Sequence, residues 1–240
     1  MTPTLSTPAL VLHTTQYAET SVIAKIFTRQ LGVRSYILKG VRKGGSRTKQ
    51  NLLQPLSHLD LVVYNNPKTS INYLKEIAPH VDADHPTAMD SDAVRYALRF
   101  FMTELLYKTL REEEPMPDLF DYVVESCKFE DGELSHQPIR FLINVSQYLG
   151  IAPQDNYSSR EPLFDLLNGR FCYSGEATLD HGTSLLLHYY LQAVNQGQPL
   201  PLTTLKQRIE LINCLLEYFQ QHVAEFRNFK SHEILHSVLQ

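Results

Sequence analysis

Hydrophobic positions alternate in short runs over the first third of the chain and recur at helical spacing afterwards. Residues 9–13, 21–28, 33–38, 58–64 and 72–77 are short stretches rich in Val, Ile, Leu and Tyr, which predicts strands. Within 58–64 the alternation is clean, with Leu59, Leu61 and Val63 on one face and His58 and Asp60 on the other. Gly32, residues 40–46 and Asn65-Asn66-Pro67 supply turn chemistry between the runs. After His85-Pro86 the period changes. Ser91 is the expected N-cap of a helix, with Asp90 and Asp92 at its positive end, and Val94, Leu98, Phe101 and Leu105 repeat along one face. Pro115 and Pro117 require that helix to stop by Glu114. Further helices are predicted over 119–129, 139–149, 185–194, 205–223 and 231–239. The clearest has Leu205, Ile209, Ile212, Leu216, Phe219 and Val223 on a single stripe. Residues 164–173 interrupt this pattern, with Asn168-Gly169 between two apolar runs. A β-hairpin turned by a type I′ pair is expected there.

The predicted class is α+β. A five-stranded β-barrel in residues 1–82 precedes a helical domain in 83–240 that carries a small hairpin near 164–173. Five short strands suit an oligonucleotide-binding barrel. An SH3-like barrel is a rival that strand count alone does not separate.

Charge sharpens this division. The chain of 240 residues has a formal net charge of −4, but residues 1–82 hold ten Lys/Arg against four Asp/Glu, and the remainder is acidic. Between residues 25 and 49 there are eight basic residues and no acidic one. Such asymmetry points to an anionic partner for the first half. Three scattered cysteines, Cys127, Cys172 and Cys214, make no disulfide framework and suit a reducing compartment. No stretch has the length of a membrane span, and Met1 to Leu10 lacks the basic start of a signal peptide, so the cytoplasm, in association with the nucleoid, is the expected location.

The segment Lys39-Gly40-Val41-Arg42-Lys43-Gly44-Gly45-Ser46-Arg47-Thr48-Lys49 carries the most information. Its five cations can replace the counterions of a phosphate backbone, and its glycines let the main chain approach closely. Arg34 lies just upstream. Phe27 and Tyr36 either stack on bases or fill the barrel core. The glycines do not form a Walker loop, because Ser46 follows Gly45 with no Lys between them. Catalytic patterns are not found: there is no Gly-x-Ser-x-Gly, no His-Glu-x-x-His and no paired carboxylates. Glu112-Glu113-Glu114 reads as a solvated charge run. His232 and His236, four apart, could share a metal but read more plainly as helix-surface residues. Arg140, Phe141, Ile143 and Tyr148 offer either a surface for a peptide ending in hydrophobic and acidic residues, or ordinary core with Arg140 at its rim.

Several of these motifs resemble the bacterial RecO family of recombination mediators. The match runs through Leu10-Val11-Leu12, Tyr17-Ala18-Glu19-Thr20-Ser21, Ile26-Phe27-Thr28-Arg29-Gln30-Leu31-Gly32, Lys39-Gly40-Val41-Arg42-Lys43 and Leu53-Gln54-Pro55-Leu56. Later landmarks are Tyr148-Leu149-Gly150-Ile151-Ala152-Pro153 and Phe229-Lys230-Ser231-His232-Glu233-Ile234-Leu235. The resemblance implies a non-enzymatic protein that binds single- and double-stranded DNA and anneals complementary strands. With RecR, such proteins help load RecA onto DNA coated by single-stranded-DNA-binding protein. It matches Lys39, Arg42, Lys43 and Arg47 to the family's basic loop and Arg140 to a cation that docks the C-terminal tail of single-stranded-DNA-binding protein, while charge adds Arg34 and Lys49 to the expected DNA contacts. Many members carry a four-cysteine zinc finger after the Leu-Gly-x-x-Pro landmark. Here 154–173 keeps only Cys172, so no metal and no cofactor are expected, and the Asn168-Gly169 hairpin is expected in the finger's place. Two other classes remain open: a scaffold whose barrel binds peptides rather than DNA, and a hydrolase with a dispersed site.

Overall fold

A computed structural model describes residues 4–41, 52–64, 71–81, 92–112, 114–129 and 132–238. The chain divides into two compact units, residues 1–129 and 130–240.

Five strands close the barrel of the first unit: β1 (Thr4–Gln16), β2 (Val22–Thr28), β3 (Gly32–Leu38), β4 (His58–Tyr64) and β5 (Ile71–Pro79). Their order around the barrel is β1-β2-β3-β5-β4, with β4 returning to β1. All neighbours are antiparallel except β3 and β5, which pair in parallel. This closure is that of the oligonucleotide-binding barrel. One long strand, β1, serves two partners. Its first half pairs with β4 and its second with β2, and an irregularity between Val11 and His13 bends it from one to the other. Inward positions alternate as the sequence pattern requires. Ala9, Val11, Ala24, Ile26, Tyr36, Leu38, Leu59, Leu61 and Val63 form one core.

Helices α1 (Ala93–Thr109) and α2 (Pro117–Ser126) belong to the same unit and cover the outer face of β1 and β2. Phe27, on the outward side of β2, meets Phe120 edge-on at 5.4 Å, and His13 meets Tyr107 at 4.8 Å. The helix starts have local causes. Asp92, not the expected Ser91, caps α1 by accepting from the N–H groups of Val94 and Arg95. Pro117 opens α2, where its missing donor costs nothing.

The second unit packs α3 (Gln137–Tyr148), α4 (His181–Gln196), α5 (Leu205–His222) and α6 (Ser231–Val238) around a hairpin of β6 (Leu163–Asp165) and β7 (Arg170–Cys172). Phe141, Leu142 and Val145 of α3, Leu187 and Tyr190 of α4, and Leu211, Leu215 and Phe219 of α5 are buried together with Phe164 and Phe171 of the hairpin. A full capping box, Thr204 with Gln207, starts α5. Gly197, at φ 67°, ends α4.

One glycine has a role that only tertiary structure explains. Gly32 begins β3 at φ +67°, and a Cβ there would lie 2.3 Å from the carbonyl oxygen of Glu114. Backbone from the segment between α1 and α2 therefore runs directly over it. Gly32→Ala should destabilise the first unit by about 1–3 kcal/mol from the left-handed backbone alone, with the clash in addition. Urea unfolding checks this, and a midpoint equal to wild type refutes the close approach.

Candidate nucleic-acid interface

The helix cover uses up part of the basic stretch. Lys25 pairs with Glu112 at 3.1 Å and lies over the Tyr107 ring. Arg29 grips Asp121 with two hydrogen bonds, Nε to Oδ1 at 2.8 Å and Nη2 to Oδ2 at 2.7 Å. This pairing holds the Asp121 carboxyl below the usual carboxylate range. Glu112 is thus an ion-pair partner and not only part of a solvated run. Of the outer barrel surface, β2 is therefore already engaged by helix carboxylates and rings.

Toward the end of β3 the situation differs. Outward positions alternate Val33, Ser35, Ile37 and then Lys39, which is exposed. Lys39 Nζ lies 5.4 Å from the centroid of Tyr73, a contact of cation–π type. Tyr73 stands opposite Ile37 in the parallel pairing and is 53% exposed. Beyond that pair β3 and β5 part. A cleft of about 250 Å³ opens between them, lined by Ile37, Lys39, Leu52, Tyr73, Leu74, Lys75, Glu76 and Ile77 among others. A bulge shapes its β5 wall. Val63 pairs with Leu74 and Val62 with Glu76, so Lys75 is an extra residue and is turned outward. Lys75 pairs with Glu76 at 3.8 Å.

The six expected DNA contacts fall in different places. Lys39 is exposed at the cleft rim. Arg34 shares the inward side of β3 with Tyr36 and Leu38, and its Nε is buried. Arg42, Lys43, Arg47 and Lys49 lie outside the described residues. Phe27 and Tyr36 resolve as core: both are 0% exposed, so neither is a stacking platform. Burial pushes the Tyr36 phenol up to about 12 despite nearby Arg34. Tyr73 was missed because its surroundings are unremarkable in sequence. Only the strand register puts it on the outer face beside Lys39.

In the helical unit Phe141 and Ile143 are core, at 0% and 1% exposure, so they form no surface with Arg140. Arg140 is partly exposed and pairs with Glu133. His136 is held below its ordinary range by burial first and then by the positive charges of Arg208 and Arg140, against the raising effect of Glu133. Arg208 donates to the Thr203 carbonyl at 2.8 Å. Next along the chain is an open groove of about 620 Å³ whose lining includes Leu186, Tyr189, Pro199, Pro201 and Leu202, with Leu202 fully exposed.

The segment after the Leu149-Gly150-Ile151-Ala152-Pro153 landmark is held by its own side chains. Asn156 clamps Phe171 twice, donating to its carbonyl at 2.9 Å and accepting from its N–H at 2.8 Å. His188 pairs with Asp155 at 2.6 Å and stacks on Tyr157 at 4.5 Å. The hairpin loop is Leu166-Leu167-Asn168-Gly169, four residues rather than the expected two-residue type I′ turn, and of Asn168 and Gly169 only Gly169 has positive φ. Asp165 holds it: Oδ1 accepts from the Leu167 and Asn168 N–H groups and Oδ2 from the Asn168 side chain. Cys172 donates weakly to the Leu163 carbonyl, and one thiol does not make a zinc site. Among the described residues no group of three or more His, Cys, Asp or Glu gathers to hold a metal, so His232 and His236 also lack a third ligand. Burial pushes the Cys127 and Cys214 thiols up to about 11, away from thiolate reactivity. No helix among the described residues is long and apolar enough to cross a membrane.

An oligonucleotide-binding barrel with exposed cations beside an exposed ring, followed by a helical body, defines a nucleic-acid-binding protein of the barrel-plus-helices class. Residues 1–80 match the family described as Recombination protein O N terminal, and residues 90–232 match Recombination protein O C terminal. Relatives named DNA repair protein RecO support this along the full length. That of Christiangramia forsetii is 28% identical over 98% of both chains. That of Phocaeicola vulgatus is 29% identical over 95% of this chain and 96% of the relative. The chain belongs to the RecO family, and its role lies in DNA repair and recombination.

Asp165 tests the account of the hairpin. Asp165→Ala should destabilise the helical unit by about 1 kcal/mol, since it removes the acceptor of three part-buried hydrogen bonds whose loop donors can turn to water. Burial alone raises the Asp165 carboxyl, but hydrogen bonds from Asn168 and the Leu167 and Asn168 N–H groups outweigh it, and the net shift is downward from 3.8. Its contribution is therefore full above 3.8 and lost as pH falls through the lower folded value. Thermal melts from pH 7 to pH 2 should show wild type and variant converging only in acid. A chelator added at pH 7 should leave the wild-type melt unchanged.

Proposed function

We propose that this chain is a non-enzymatic mediator that neutralises DNA phosphates along the end of β3 and the basic segment after it, and docks protein partners on its helical unit. Lys39 carries this reading. It emerges at the start of a five-cation segment and meets an aromatic ring, whereas Lys25 and Arg29 meet carboxylates. Arg42, Lys43, Arg47 and Lys49, with Arg34, complete the cationic set. Annealing needs no acid or base. Two polyanionic strands brought onto one cationic surface repel each other less, and pairing follows. Relatives of this family carry the name of DNA repair proteins, which supports work alongside RecR and RecA on DNA coated by single-stranded-DNA-binding protein in the cytoplasm. Both single- and double-stranded DNA offer the required phosphates. The raised thiols and the unpatterned Ser, His and Asp residues favour binding over turnover.

A salt titration tests the cationic surface. In the Arg42→Ala, Lys43→Ala, Arg47→Ala triple variant, the slope of log affinity against log salt for single-stranded DNA should fall by about 0.7 for each phosphate no longer neutralised. An unchanged slope rejects the segment as the binding surface. Failure of the wild type to retain DNA at moderate salt favours the scaffold reading instead.

Arg140, partly exposed on α3, and the apolar groove of Leu186, Tyr189, Pro201 and Leu202 favour docking of a peptide whose end is acidic and hydrophobic, as the C-terminal tail of single-stranded-DNA-binding protein is expected to be. Arg140→Ala should weaken such a peptide by about tenfold, the order of one charge-assisted hydrogen bond. Fluorescence anisotropy of a labelled peptide measures it, and a change below twofold removes Arg140 from the site.

A further inference from the structure

We infer that the parted seam between β3 and β5 is a pocket for one unpaired nucleobase, stacked on Tyr73, and that it makes the barrel distinguish single strands from duplex. The inference rests on the DNA-binding reading above and deepens it, because phosphate neutralisation alone is blind to whether bases are paired.

Three observations converge on the seam. The first is its shape. Parallel pairing ends at Ile37 and Tyr73, and the strands then diverge around a cleft of about 250 Å³. The second is its chemistry. Leu52, Leu74 and Ile77 are only partly buried against the barrel core and line the cleft, while Lys39 and Lys75 stand at its rim. An apolar slot between two cations complements a flat ring joined to a phosphate chain. Glu76 adds a carboxylate acceptor for an exocyclic amine. The third is the exposed platform. Tyr73 is 53% exposed, and Lys39 already sits near its ring. Stacking on such a ring tolerates any base, because every base has a π face.

The usual nucleic-acid face of this barrel is that of β2 and β3. Here β2 is engaged outwardly by Phe120, Glu112 and Asp121, which moves the available surface toward β3 and β5. A paired base is stacked on both sides and turned toward its partner strand. It cannot enter the slot without leaving the duplex, at a cost of a few kcal/mol.

The test uses the full chain and labelled oligonucleotides of one length: single-stranded, duplex, and single-stranded with abasic sites throughout. Tyr73→Ala should weaken single-strand binding by about 5- to 100-fold, the range of base–aromatic stacking. Duplex affinity and the salt slope should stay within twofold of wild type, Tyr73→Phe should retain binding, and the abasic strand should bind wild type as weakly as the intact strand binds Tyr73→Ala. The chain contains no tryptophan, so Tyr73→Trp supplies a sole indole reporter. Its fluorescence should be quenched by the intact strand and not by the abasic one. Equal weakening of single strands and duplex by Tyr73→Ala, or indole quenching by the abasic strand, overturns the pocket. Intact DNA binding with a normal salt slope and no effect of Tyr73→Ala overturns the pocket while leaving the cationic surface standing. Failure of the wild type to bind any DNA overturns both.

Discussion

Everything proposed for the barrel depends on the way it closes. Antiparallel pairing takes β1 through β3 and joins β4 to its neighbours, but the ring is completed by the short parallel contact of residues 35–37 with 71–73. Parallel strands cannot be joined by a tight turn, so the chain between β3 and β5 must leave the barrel, form β4 on the far side and return. That excursion starts at Lys39, which is exposed beside the edge where closure is thinnest. Lys39 and the seam are neighbours by topology.

A second constraint decides which cations remain for a polyanion. The acidic residues Glu112 and Asp121 follow the barrel in sequence but pack on it, and each meets a cation of β2 or the turn after it. Such exposed pairs contribute little to stability. Their effect is to position α1 and α2 over β1 and β2, with Phe120 against Phe27 and Tyr107 against His13. Gly32 belongs to the same arrangement, because it lets the segment after α1 lie on the start of β3. The helix cover thus screens the β1–β2 flank of the barrel and the start of β3, while among the described residues Lys39 and Tyr73 stay exposed.

Much of this was legible beforehand, and the limits follow from what a local pattern can encode. Alternation at Leu59, Leu61 and Val63 reports a sheet face directly, and the strands formed within a few residues of their expected bounds. Helical stripes were equally plain. Period does not say which core a helix joins, however, and α1 and α2 join the barrel's unit. Tyr73 is a tyrosine in a strand like others, and its exposure depends on register against Ile37 and on a bulge two residues later. The partner of Gly32 lies far along the chain at Glu114, and no spacing rule connects them. Asn168-Gly169 signalled a hairpin correctly, but Asp165 captures two loop N–H groups and draws out a longer loop than a type I′ turn.

In the helical unit, side-chain hydrogen bonds and ring packing hold the hairpin. A zinc finger stabilises a short hairpin by tying four side chains to one point. In this chain the same segment is held by distributed bonds: Asn156 spans to Phe171, Asp165 organises its own loop, Asp155 orients His188, and Tyr218 donates to the Ile151 carbonyl at 2.7 Å. Phe164 and Phe171 then pack edge-on at 5.1 Å beneath them. Each hydrogen bond is worth only about 1 kcal/mol net, but together with ring burial they fix the backbone as a metal would. Such a network needs no exposed thiolates, and the cysteines of this chain sit just past the end of α2, within α5 and at the end of β7. The rigidity of this hairpin against α5 thus comes from many small bonds and from ring packing, with Phe164 also meeting Tyr218 of α5.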